Sequence, residues 1–164
     1  MKPTETYSIR SEACLSACGS YRYWLLRQWD TTKPMGAFIC MNPFKADSLM
    51  MDMSLAYANN LAVHWGWGGF YIANMSAFME PDSSRVGLHM QKHDAENDKA
   101  IKWVVSQAKS IVLAWSAKYP DRAFQVMKLL PKAGLLCIKK NVDGSYMHPR
   151  LATRCRDYPA PVPV

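Results

Sequence analysis

The chain has 164 residues, 49% hydrophobic and 12% aromatic, a composition that suits one domain with its own core and excludes wholesale disorder. No apolar run reaches the roughly 18 residues that a membrane span needs, and the polar stretch 1–12 lacks the apolar centre of a signal peptide, so a soluble, cytoplasmic protein is expected. The formal charge of +7 is unevenly placed: residues 1–117 carry 11 Lys/Arg against 10 Asp/Glu, and residues 118–164 carry 9 against 3.

Taken in order, the first periodic segment is Ser20 to Trp29, which mixes aromatics with arginines. Strand alternation sets Tyr21, Tyr23, Leu25 and Arg27 on one face and Arg22, Trp24, Leu26 and Gln28 on the other, and an N-terminal strand or hairpin is expected. After a turn at Asp30–Pro34, the run Gly36 to Met41 stops at Asn42-Pro43. A short apolar run bounded by turn formers reads as a buried strand. Pro43 ends the ladder and biases Asn42 to an extended conformation, so the Asn42 carboxamide is expected at the carboxyl end of a central strand. In open α/β sheets that edge is where ligands bind.

Beyond a loop over Pro43–Asp52, Ser54 is the expected cap of a helix carrying Leu55, Ala58, Leu61, Ala62 and Trp65 at helical spacing. Phe70–Ala73 is a second buried strand and also runs into an asparagine, Asn74. Met75 to His93 reads as a long surface loop, of the kind that is functional or mobile. Asp94 is expected to cap a helix with Ile101, Val104, Val105 and Ala108 inward, followed by a third strand, Ser110–Trp115. A short helix begins at Asp121, a fourth strand covers Leu135–Ile138, and a turn at Asn141–Gly144 precedes His148-Pro149. The proline-rich tail 158–164 is expected to be extended or disordered.

Alternating strands and helices predict a single α/β domain over residues 1–157, a three-layer sandwich on a mostly parallel four-stranded central sheet. The strand ends lead to Asn42, Asn74, Trp115 and then His148, a convergence of polar and aromatic groups on one edge. Lys128, Lys132, Lys139, Lys140, Arg150, Arg154 and Arg156 supply either a phosphate-attracting side or only a solvated basic face. The five cysteines (Cys14, Cys18, Cys40, Cys137, Cys155) are scattered without a second pair at zinc spacing, and no metal or cofactor is expected.

A set of pieces in order along residues 20–150 carries a family resemblance. They are Tyr21-Arg22-Tyr23-x-Leu25-x-Arg27-x-Trp29, Met41-Asn42-Pro43-x-Lys45-Ala46-Asp47 with Asp52, and Gly66-Trp67-Gly68-Gly69-Phe70 running to Asn74. Glu96-Asn97-Asp98, Ala114-Trp115, Arg122 and His148-Pro149 complete them. The chain resembles the bacterial, plasmid and phage proteins grouped as domain of unknown function 1643. That family is in turn similar in layout to the uracil-DNA glycosylase superfamily, whose strand-end Asn-Pro, later base-reading Asn and C-terminal His-Pro match Asn42-Pro43, Asn74 and His148-Pro149. The chain departs from the family pattern at Phe44, Met53-Ser54, Met75-Ser76, Ser116 and Arg150-Leu151, which leaves a drifted, non-catalytic member as an alternative.

The resemblance implies a cleft that hydrolyses an N-glycosidic bond of a uracil-like or modified base. In it Asn42 orients the water or contacts the base, Asp47 or Asp52 activates the water, and His148 donates to the leaving base. Asn74 reads the base edge, Phe44 or Tyr71 stacks on it, Lys45 and Arg150 hold phosphates, and Trp115 and Arg122 join the binding set. Plainer roles compete: strand-end asparagines cap turns, a histidine before proline packs, Asn97 and Asp98 serve a helix start, and Trp115 fills the core. Three functions follow: a nucleic-acid- or nucleotide-acting enzyme, a non-catalytic phage or plasmid protein that holds nucleic acid or a host protein, and a metal site on Asp47, Asp52 and Asp98.

Overall fold

The computed structural model of the chain describes residues 4, 6–80, 82, 85–90, 94–154 and 158–164. Among the described residues seven strands form one mixed sheet: β1 (Arg10–Leu15), β2 (Arg22–Gln28), β3 (Met35–Cys40), β4 (Gly69–Asn74), β5 (Ser110–Ala114), β6 (Leu135–Cys137) and β7 (Val162–Pro163), in the spatial order β1-β2-β4-β3-β5-β6-β7. The four expected strands are β4, β3, β5 and β6, and they run parallel to one another. A four-stranded sheet is nevertheless incorrect. β1 and β2 add antiparallel strands beside β4, and β7 adds one beside β6. The polar start of β1 (Arg10-Ser11-Glu12) hid it from periodicity. The proline-bearing β7 sits at the sheet edge, where a missing N–H is tolerated.

Helices pack on both faces of this sheet. On one face α1 (Met53–His64) lays Leu55, Ala58, Leu61 and Ala62 against Phe38, Phe70, Ile72 and Val112. On the other, α3 (Ala95–Gln107) and α4 (Pro120–Met127) bring Ile101, Val104 and Val126 against Ile39, Tyr71 and Leu113. The cap of α1 is Asp52, whose Oδ1 accepts the Leu55 N–H at 2.9 Å, rather than Ser54. Asp94 does cap α3, accepting from the Asn97 N–H at 3.0 Å. α4 starts one residue before Asp121, because Pro120 suits the first helical position. Met75, Ser76 and Ala77 are buried, and Val86–Met90 forms the short helix α2, so the expected surface loop starts inside the core. The rest of that expectation, at residues 81, 83–84 and 91–93, lies outside the described residues.

Strand parity fails at one place in β2. Cys14 pairs with Trp24 but Leu15 pairs with Arg22, so Tyr23 is an extra residue opposite nothing. Such a bulge reverses the faces of the residues before it. Arg22 therefore joins the Leu25 face instead of the expected Trp24 face, while Tyr21 and Tyr23 turn towards the start of α3. Near the other end of the sheet Gly36 is obligatory, since a Cβ there would run into the Trp67 ring. No helix among the described residues is long and apolar enough to cross a membrane.

Candidate functional site

Three segments meet at the carboxyl ends of β3 and β4. β3 delivers Cys40 and, past its end, Asn42 and Phe44; β4 ends on Asn74; the first turn of α1 presents Asp52 and Ser54. His148 arrives just before the 3-10 helix Pro149–Arg154, and the bulge in β2 turns Arg22 inward. Together they line a cavity of about 30 Å³. That is room for about two waters, and roughly a tenth of the smallest ordinary small-molecule pocket. The expected trio Asn42, Asn74 and His148 thus shares one wall with Asp52 and Phe44.

Arg22 is the residue that sequence reasoning passed over. It is 3% exposed, donates from Nη1 to the Ala46 carbonyl (2.6 Å) and from Nη2 to Asn74 Oδ1 (3.3 Å), and its buried Nε has no partner among the described residues. Burial pulls its pKa down, against the pull of the Asp52 charge. The signal available in the sequence was an arginine inside an aromatic strand, but the bulge that aims it is invisible there. Asn42 donates its amide to the carbonyls of Pro43 (3.1 Å) and Glu80 (3.2 Å), tying the loop after β3 to the segment after β4. His148 Nδ1 accepts the Arg150 N–H at 3.3 Å, which leaves the proton of the neutral ring on Nε2. Burial lowers the His148 pKa, opposed by Asp52 and assisted by Arg150. The same burial pushes the Cys40 thiol up to about 12, so it is inert as a nucleophile.

The other expected site residues lie elsewhere. Asp47 accepts the N–H groups of Leu49 and Met50, both at 2.7 Å, and those bonds hold its carboxyl below the usual range. It lines a neighbouring groove of about 400 Å³ with Phe44 and Lys45, whose Nζ sits 5.4 Å from the Phe44 ring centre. Phe44 borders both spaces. Tyr71 is an odd number of positions from Asn74 on β4, so it faces the opposite side, packed on Trp24 and Trp103. Trp115 is in the core against Tyr146. Arg122 is buried on the α3–α4 side, bonded to Asp98 Oδ1 (2.6 Å), the Met75 carbonyl (2.8 Å) and Gln125 Oε1 (3.3 Å). Arg150, two residues from His148, is exposed, and so are Lys128, Lys132, Lys139 and Lys140. Arg156, Cys155 and the Arg154 side chain lie outside the described residues. Asp98 pairs with Arg122, Asp52 caps a helix and Asp47 closes a turn. Among the described residues no three His, Cys, Asp or Glu side chains gather as a metal site.

The profile of the family described as "Protein of unknown function (DUF1643)" matches residues 22–150. The chain belongs to that family. No curated protein matches it. Among solved structures, carboxyl esterase 2 from the mycorrhizal fungus Tuber melanosporum is similar at 9% identity and a TM-score of 0.41, over 80% of this chain and 44% of that one. The chain thus spans less than half the length of that structure.

Proposed function

We propose that this member of the DUF1643 family acts on a nucleobase or nucleotide unit, hydrolysing an N-glycosidic bond of a uracil-like or modified base at the Asn42–His148 cavity. The observation that supports the reading is the meeting of Asn42, Asp52, Asn74 and His148, from distant parts of the chain, around one polar hollow at the carboxyl ends of parallel strands. The hollow is sized for reacting atoms, a water and one base oxygen, and not for a ring. The base itself lies on Phe44, which is 41% exposed, with the sugar-phosphate along the adjoining groove past Lys45.

In this scheme the free oxygen of Asp52 orients the water and takes its proton as the water oxygen bonds to C1′. The electron pair of the broken C–N bond leaves with the base, and the Nε2–H of His148 and the amide of Asn74 meet the charge that develops on it. Incubation with uracil-containing and modified-base oligonucleotides, read as released base and abasic strand, tests the reading. Asp52→Asn and His148→Gln should each slow release by about a hundredfold or more. Absence of release from every such substrate would discard it.

A second reading is favoured by the internal bonding of the same residues. Asn42, Asn74 and Asp52 all hold protein groups, and no ring fits between them. The chain then binds nucleic acid or a host protein without turnover, through the groove and its exposed lysines. Salt-sensitive DNA binding, undiminished by Asn42→Ala or His148→Ala and without base release, is the result expected of it.

A further inference from the structure

The two edges of the sheet are finished differently. At the β7 edge the Val164 N–H donates to the Leu135 carbonyl at 3.1 Å. N–H groups turn to alternate sides along a strand, so positions 161 and 163 turn outward, and both are proline. That edge has no N–H to offer there. β1 carries no such seal. Arg10–Leu15 holds no proline, and no strand lies beyond it among the described residues. The Ser16 N–H donates inward to the Tyr21 carbonyl at 3.0 Å. By the same alternation Arg10, Glu12 and Cys14 bond towards β2, while Ser11, Ala13 and Leu15 hold their N–H and C=O groups outward. An open row of this kind is a template for one more strand.

The side chains along β1 fit a second copy of the same strand. Two antiparallel copies related by a two-fold axis normal to the sheet keep their faces, so the axis passes through a residue that faces itself. An axis at Arg10 or at Glu12 sets like charges opposite each other, and one at Ala13 leaves both charges without a partner. An axis at Ser11 sets Arg10 opposite Glu12 of the second copy, twice over. Within the chain Arg10 Nε already meets Glu12 Oε1 at 2.7 Å, so the four groups alternate in sign. The same register sets Ile9 opposite Ala13 and Tyr7 opposite Leu15, and Tyr7, Ile9 and Leu15 are exposed in the single chain. Ser11 shares their face and donates to the Ser48 carbonyl, which brings the exposed Leu49 and Met50 alongside. Leu15 and Met50 line one groove.

We propose that β1 pairs antiparallel with β1 of a second copy about a two-fold axis at Ser11, so that one sheet runs through a dimer. Outward backbone groups supply the bonds, the Arg10–Glu12 pairs fix the register, and the chemistry of the cavity does not enter. Sedimentation velocity of the full chain from about 1 to 200 µM tests it, a range suited to a small interface. Wild type should pass from monomer to dimer as concentration rises. Ala13→Pro removes an outward N–H, leaves the ladder to β2 intact, and should weaken the dimer about tenfold or more. Glu12→Arg and Arg10→Glu should each do the same by setting like charges opposite, and the two changes together should restore the wild-type midpoint. Thermal melts check that each variant folds, and the charge reversals decide the matter should Ala13→Pro not fold. A monomer at every concentration overturns the proposal. So does a dimer that ignores Ala13→Pro and both single reversals, which would place the contact on another face. A doubly reversed chain as weak as the single variants overturns it too.

Discussion

Two buried arginines grip consecutive residues at the end of β4 from opposite faces of the sheet. Arg122 bonds the Met75 carbonyl on the α3–α4 side, and Arg22 bonds Asn74 Oδ1 on the α1 side. They are equally inaccessible, at 4% and 3% exposure. Arg122 has a partner on each of its three nitrogens, including a carboxylate at 2.6 Å, and it joins β4, α3 and α4. Arg22 lines the cavity and has neutral partners on two nitrogens and, among the described residues, none on the third. The difference separates a charge that ties three elements together from one that keeps a donor unused beside a cavity. Burial alone does not make that distinction; the completeness of hydrogen bonding does.

The largest effect expected of this contrast is at Arg122. Arg122→Leu removes the partner that Asp98 meets at 2.6 Å and should lower the unfolding free energy by about 3 kcal/mol in urea, the low end for a broken buried pair because Asp98 is partly exposed. Asp52→Ala should follow at about 1 kcal/mol, the loss of the α1 cap, whereas Asp52→Ser should restore most of that stability. Restored stability without restored base release would assign the carboxylate to chemistry as well as to capping. Arg22→Met should cost about 1 kcal/mol or less, since two lost hydrogen bonds are offset by removing a cation whose burial outweighs the pull of the Asp52 charge. A loss as large as that of Arg122→Leu would break the comparison.

The smallest effect concerns His148. Its pKa in the folded chain lies below the ordinary 6.5, because burial disfavours the imidazolium. Below that pH the unfolded chain takes up a proton that the folded chain refuses, so stability falls with acidification and levels off once folded His148 is protonated. Urea midpoints of wild type should therefore drop between about pH 7 and pH 5 by more than those of His148→Gln.

Much of the candidate site was legible in the sequence. Asn42 before Pro43, Asn74 at the end of an apolar run and His148 before Pro149 each marked a chain stop beyond a strand, and they do share a cavity. Asp47, Trp115 and Arg122, from the same family pieces, and Tyr71, expected to stack on the base, went elsewhere. Asp47 has backbone N–H groups two and three residues away that its carboxylate takes first. Tyr71 has the wrong parity for the Asn74 face. Arg122 found Asp98 and Trp115 found Tyr146, both non-local partners that no spacing predicts.

The sequence by itself determined helices α1, α3 and α4 and the four parallel strands, because hydrophobic period, caps and proline stops are local properties that act through neighbours three or four residues away. Only the tertiary structure decided how the expected N-terminal strand β2, its hairpin partner β1 and the tail strand β7 join the sheet antiparallel, and the direction of Arg22. Both depend on backbone pairing between distant segments. A strand with polar residues or a proline joins a sheet when a neighbour offers its free edge, and an extra residue such as Tyr23 becomes a bulge only against the partner that lacks one.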